Sequence, residues 1–171
     1  RAAVRLAFDE CFRFGPSTNI TRSVFEMYEI DDKKDFSNAI VGKKIDSTYL
    51  IKALFEHANN GDLPAISVLE TSGEHMARSI AGVIKELNIK EPINVILAGS
   101  VWAKATNFAM LNKFKKVVCE LSNKKCNFIV LKEPPVLGAI LWALELANGE
   151  LPDKELKAKV LENIINYQNS I

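Results

Sequence analysis

Several things are scarce in this sequence, and each shortage argues against a class of protein. Cysteine is one: Cys11, Cys119 and Cys126 are the only three in 171 residues. They form no zinc or redox spacing. An odd, scattered set suits a reducing compartment, so a cytoplasmic location is expected. Histidine is scarcer, with two residues. His57 and His75 fall on different expected helices without a ligand-spaced partner, so both are expected to be ordinary surface or half-buried histidines. An excess of one charge is also missing, since 22 basic residues face 21 acidic ones. Nothing there calls for nucleic acid or an anionic membrane as a partner. No apolar run approaches the length of a membrane span. Neither Gly-x-Gly-x-x-Gly nor a Walker A sequence occurs, so no Rossmann loop or P-loop is expected.

What is present centres on residues 93–138. Ile93-Asn94-Val95-Ile96-Leu97 is rich in β-branched residues and is followed by Ala98-Gly99-Ser100. A run of that kind suits a strand buried on both faces. A helix is expected from about 101 to 121, a second strand over 128–131, and a further helix over 134–148. That order is a parallel βαβ unit followed by a helix. Ligands of open α/β sheets sit beyond the carboxyl ends of strands, where helix N-termini begin. The Gly99-Ser100 turn is therefore the first place to look for a site, with a plain N-cap as the competing reading. The helix at 134–148 is apolar on most sides and is expected to be buried against the sheet. Gly138 is expected to serve close packing.

The first sixty residues read as a small helical cluster. Helices are expected over 1–14, 20–30, 33–43 and from Ser47 or Thr48 to 58, with Gly15-Pro16 ending the first, Ser17-Thr18-Asn19 and Asp31-Asp32 capping the next two, and Asn59-Asn60-Gly61 breaking the last. Asp62 is expected to cap a long helix, with Pro64 in its first turn. Its apolar residues Ile66, Leu69, Gly73, Met76, Ala77, Ile80, Val83, Ile84 and Leu87 recur at threes and fours. Gly73 and Gly82 weaken that helix unless close packing wants them. A charged amphipathic helix over 152–167 follows. The basic residues Lys113, Lys115, Lys116, Lys124 and Lys125 are expected on a solvated face. With only two strands legible, and a start directly in a helical pattern at Arg1, further strands are expected upstream.

Val95-Ile96-Leu97-Ala98-Gly99-Ser100-Val101-Trp102 and Pro135-Val136-Leu137-Gly138-Ala139 resemble the carboxyl half of the N-acetylglucosamine kinases. More broadly they resemble the BadF/BadG/BcrA/BcrD-type ATPases, in the sugar kinase, Hsp70 and actin superfamily. Gly15-Pro16-Ser17-Thr18 and Leu54-Phe55-Glu56-His57-Ala58-Asn59-Asn60-Gly61-Asp62 are similar to further stretches of that family. The resemblance covers most of residues 1–148. It implies an α/β fold, the ribonuclease H-like second domain of a two-domain protein with ATP in the cleft between domains. Residues 1–61 would be a helical segment, 62–148 the long helix and βαβα core, and 149–171 the terminal helix.

The resemblance also implies a function: ATP- and Mg²⁺-dependent phosphorylation of an N-acetylated amino sugar, with amino sugar and ATP as partners and a homodimer possible in relatives. Gly99 and Ser100 match the family's adenosine-binding turn. Thr48 matches a position near the adenine, where many members carry alanine. No catalytic residue falls in this chain. The family's phosphate loops and the Asp that serves as base would lie upstream of Arg1, so this stretch alone is expected to lack kinase activity. Two rival readings remain: an ATPase activator of a 2-hydroxyacyl-CoA or benzoyl-CoA type enzyme, which would hold an iron–sulfur cluster, and a non-catalytic regulatory domain of the same fold.

Overall fold

The computed structural model of the chain describes residues 1–169, with side chains described to residue 167. The terminal segment expected over 149–171 is therefore described except for its last two residues. The architecture is mixed α/β and rich in helix, with one parallel sheet of two strands. In chain order the elements are α1 (Ala2–Phe12), α2 (Ile20–Tyr28), a 3-10 turn (Lys33–Asp35), α3 (Phe36–Ile40), α4 (Ser47–Asn59) and α5 (Leu63–Glu86). Then come β1 (Ile93–Leu97), α6 (Ser100–Ala103), α7 (Ala109–Ser122), β2 (Cys126–Val130), α8 (Pro135–Asn148) and α9 (Lys154–Asn169). No helix among the described residues is long and apolar enough to cross a membrane. The chain forms two compact units: Arg1–Ile93 with Ala105–Asn127, and Asn94–Lys104 with Phe128–Ile171.

The first unit is helical. Phe36 is fully buried at the start of α3, and the rings of Phe8, Phe12 and Phe25 surround it with centroids 5.9, 6.0 and 5.8 Å away. Tilted and edge-on aromatic contacts of this kind add to the area that they bury. Asp62 caps α5 as its sequence position suggests, its Oδ1 accepting the Ala65 N–H at 3.0 Å. The same carboxylate accepts the Thr18 hydroxyl at 2.9 Å and the Asn19 N–H at 2.6 Å. One buried carboxylate thus ties the start of α2 to the start of α5. Leaving it out would orphan donors at both helix ends.

α5 buries a stripe of Ala65, Leu69, Gly73, Ala77, Ala81 and Ile84, a narrower face than its apolar periodicity suggests. Met76, Val83 and Leu87 of the expected core face are exposed. Small residues let α7 approach closely with its large ones: Met110, Phe114, Val117 and Val118 are the buried residues of α7. At Gly73 the approach reaches the backbone. A Cβ built there would lie 2.3 Å from the Met110 carbonyl oxygen. Gly82, by contrast, has open space around it.

The helix expected over 101–121 is not continuous. It breaks into α6 and α7, with residues 104–108 between them. The cause is polar competition for the backbone. Asn107 Oδ1 accepts the Ala109 N–H at 2.9 Å, while its amide donates to Asn59 Oδ1 at 3.1 Å. Asn59 in turn donates to Thr106 Oγ1 at 3.0 Å. These bonds pin the break to the end of α4.

The second unit holds most of the sheet with α6, α8 and α9. β1 alternates, with Ile93, Val95 and Leu97 buried and Ile96 54% exposed, so it is not the strand buried on both faces that its composition suggests. In β2, Ile129 is exposed as well. The expected burial of α8 also fails: Leu137 is its one buried residue, while Val136, Trp142 and Leu146 are exposed. Two strands about 4.8 Å apart are too narrow to cover all sides of an apolar helix. α9 packs along α8. Gly138 has no neighbour within 4 Å of a built Cβ, so it is not a close-packing glycine.

Candidate functional site

Gly99 lies two residues beyond the end of β1, with φ 107° and ψ 162°. That conformation is open to glycine and strained for any residue with a Cβ. The strain is purely conformational, because a Cβ built there would meet nothing within 4 Å. The backbone therefore turns sharply while leaving room beside it. The Gly99 carbonyl accepts the N–H groups of Trp102 and Ala103 at 3.1 and 3.0 Å, which closes the single turn of α6. Ser100 opens that turn and is exposed, and no side chain caps it. α6 is four residues long. So short a helix carries little macrodipole, and the expected anion-attracting N-terminus of a long helix is absent at this turn. What the turn offers is close access to backbone and an exposed serine hydroxyl.

Thr48 belongs to the first unit. It is the second residue of α4 and is exposed. Asp46 precedes it and caps the helix, Oδ1 accepting the Tyr49 N–H at 3.0 Å. Gly99 and Ser100 are adjacent in the second unit, so the three expected nucleotide-binding residues divide between the two units.

A second group of polar residues went unnoticed in the sequence because its members lie far apart in the chain. Ser23 Oγ and His57 Nε2 are 2.9 Å apart between α2 and α4. Beside them the Tyr49 hydroxyl donates to Glu26 Oε2 at 3.2 Å, and Arg22 pairs with Glu26 at 2.8 Å. Those two hydrogen bonds, Arg22's the larger, hold the Glu26 carboxyl below its ordinary range. Burial, and then Glu26, push the Tyr49 phenol up. The groove between the helices has a volume of about 450 Å³. A serine–histidine contact is the start of a nucleophile–base pair. Here Ser23 sits mid-helix and is buried, where backbone N–H groups are taken up by the helix and cannot form an oxyanion hole. Among the described residues no carboxylate hydrogen-bonds His57 in the role of orienting acid. The pair fastens α2 to α4. His75 is exposed, as its surroundings in sequence suggest.

Among the described residues no group of three or more His, Cys, Asp or Glu side chains could hold an ion. Comparison with protein-family models, curated proteins and solved structures gives no match. The candidate site accordingly rests on the Gly99–Ser100 turn and its position after a parallel strand.

Proposed function

We propose that this chain forms the adenosine-binding part of an ATP-dependent kinase of an N-acetylated amino sugar, on a ribonuclease H-like domain. The observation that carries the reading is Gly99: a positive-φ glycine at the carboxyl end of a parallel strand, with open space where a side chain would stand. In that role Gly99 lets the nucleoside lie against the backbone, and Ser100 offers a hydroxyl that can donate to or accept from ribose or base. ATP supplies the phosphoryl group when bound. The open turn fits its adenosine end. Mg²⁺ takes few protein ligands and would be held largely by the ATP phosphates, which the adenosine-binding turn is not proposed to contact. By itself this stretch should bind nucleoside and transfer nothing.

Trp102, three residues beyond Gly99, gives a direct reporter. ADP should change its fluorescence saturably, with Trp142→Phe removing the other indole. Gly99→Val should abolish the change while leaving the far-UV circular dichroism intact. Saturable binding that survives Gly99→Val would refute the assignment.

A further inference from the structure

Asparagine is followed by glycine at two places in the sequence, Asn60-Gly61 and Asn148-Gly149. That dipeptide carries its own chemistry. The glycine nitrogen can attack the asparagine side-chain Cγ, because the glycine has no side chain to hinder the approach. Both pairs lie at a helix end, and all four residues are exposed. Access to water therefore does not tell them apart. In each pair the glycine N–H is engaged, Gly61 with the Ala58 carbonyl at 3.2 Å and Gly149 with the Glu145 carbonyl at 2.8 Å. The turn must open before the nitrogen can attack, so the rate follows the free energy of local opening.

The two turns differ in what must break with them. The Asn60 N–H bonds to the Glu56 and His57 carbonyls, and the Asp62 N–H bonds to the His57 carbonyl at 3.0 Å. The buried Asp62 carboxylate holds Thr18, Asn19 and Ala65, and the Asn59 side chain is bonded to Thr106 and Asn107. Opening at Asn60 therefore disturbs α2, α4, α5 and the start of α7 together. At Asn148 the situation is the reverse. Leu137, the one buried residue of α8, sits near the opposite end of the helix, and residues 146–151 are all exposed. The end of α8 is held by its own backbone bonds, which open at low cost.

We infer that Asn148 is a site of spontaneous deamidation in the folded protein, and that Asn60, in the same dipeptide, is protected by the fold. The Gly149 nitrogen bonds to the Asn148 Cγ, the side-chain amide nitrogen leaves as ammonia with the proton from Gly149, and a succinimide ring remains. Water then opens the ring at either carbonyl, giving aspartate or isoaspartate. Both products put a carboxylate at the carboxyl end of α8, close in sequence to Glu145 and Glu150, where the helix dipole opposes it. The isoaspartyl form also lengthens the main chain between α8 and α9 by one carbon. Deamidation thus loosens the end of α8 as the protein ages.

The folded chain is incubated in mildly alkaline buffer, sampled over days and digested with trypsin. Asn60 falls in the peptide Ala53 to Arg78 and Asn148 in the peptide Glu133 to Lys154, so mass spectrometry follows each separately, with fragment ions distinguishing Asn60 from Asn59. Modification at Asn148 should be about tenfold or more faster than at Asn60. In guanidinium chloride the two rates should come together. Asn148→Gln should remove the product from its peptide and leave Asn60 as slow as before. Equal rates at the two sites of the folded chain, both fast or both slow, would overturn the inference, and so would a faster rate at Asn60. A difference that persists unchanged in denaturant would overturn it too, because it would come from neighbours in sequence and not from the fold.

Discussion

Replacing Gly73 with alanine puts one methyl group where α5 and α7 touch. The new Cβ would lie 2.3 Å from the Met110 carbonyl oxygen and 3.2 Å from its carbon. An ordinary carbon–oxygen contact is roughly 1 Å longer than the first of these, and the obstacle is backbone in the first turn of α7 rather than a flexible side-chain end. One helix must move. Overpacking of a tight interface costs about 1–3 kcal/mol. Alanine recovers about 0.5–1 kcal/mol of that through its better helix propensity. The net expectation is a loss of about 1–2 kcal/mol. Gly82 supplies the control in the same helix: it is exposed, its Cβ position is empty, and its φ is not positive. Gly82→Ala should therefore stabilise the chain by about 0.5–1 kcal/mol. Urea denaturation followed by circular dichroism would show the two midpoints moving in opposite directions. If Gly73→Ala stabilises the chain as Gly82→Ala does, the close α5–α7 approach is wrong.

Three further outcomes follow from the packing and the charges. Phe36→Ala, at the centre of the aromatic cluster, should cost about 3–5 kcal/mol in the same assay, and a loss under about 1 kcal/mol would refute its central place. Asp62→Ala should cost about 2 kcal/mol or more, because it removes the α5 cap and the acceptor of Thr18 and Asn19 together; a near-neutral result would refute the shared role. The hydrogen bond from Arg78, with help from Lys113, holds the Glu74 carboxyl below its ordinary range, so folding favours its charged form. The stability it adds is present above the ordinary glutamate value of about 4.3 and fades as pH falls through the lowered folded value. Wild type and Glu74→Gln should then differ in urea midpoint at pH 7 and converge as pH falls through the lowered folded value, and an unchanged gap would refute the coupling.

Much of the helical half was legible in the sequence because its signals are local. Asp62 followed by an apolar period, Asp46 before α4, and Asn148-Gly149 after α8 each mark a helix end by their own chemistry. The break between α6 and α7 was not legible, because Asn107 and Thr106 find their partner at Asn59, nearly fifty residues away in sequence. The face that α5 buries was misjudged for a related reason. Periodicity weights large apolar residues, whereas close helix packing selects Ala65, Gly73, Ala77 and Ala81. Strand composition overstated burial in the sheet, since a β-branched run looks alike whether one face is covered or two. At the candidate site, Gly99 was legible because a glycine after a strand carries a backbone meaning. The pairing of Ser23 with His57 depends on tertiary placement and left no local trace.

On the proposed reading, Gly99 and Ser100 serve a nucleotide used for phosphoryl transfer to an amino sugar. The most direct measurement is ADP formation by the two-domain kinase that this reading proposes, with Mg-ATP, with and without N-acetylglucosamine, for wild type and Gly99→Val. ADP formed only with the sugar, and lost in Gly99→Val, is the predicted result. Turnover indifferent to amino sugars, or unchanged by Gly99→Val, would contradict it.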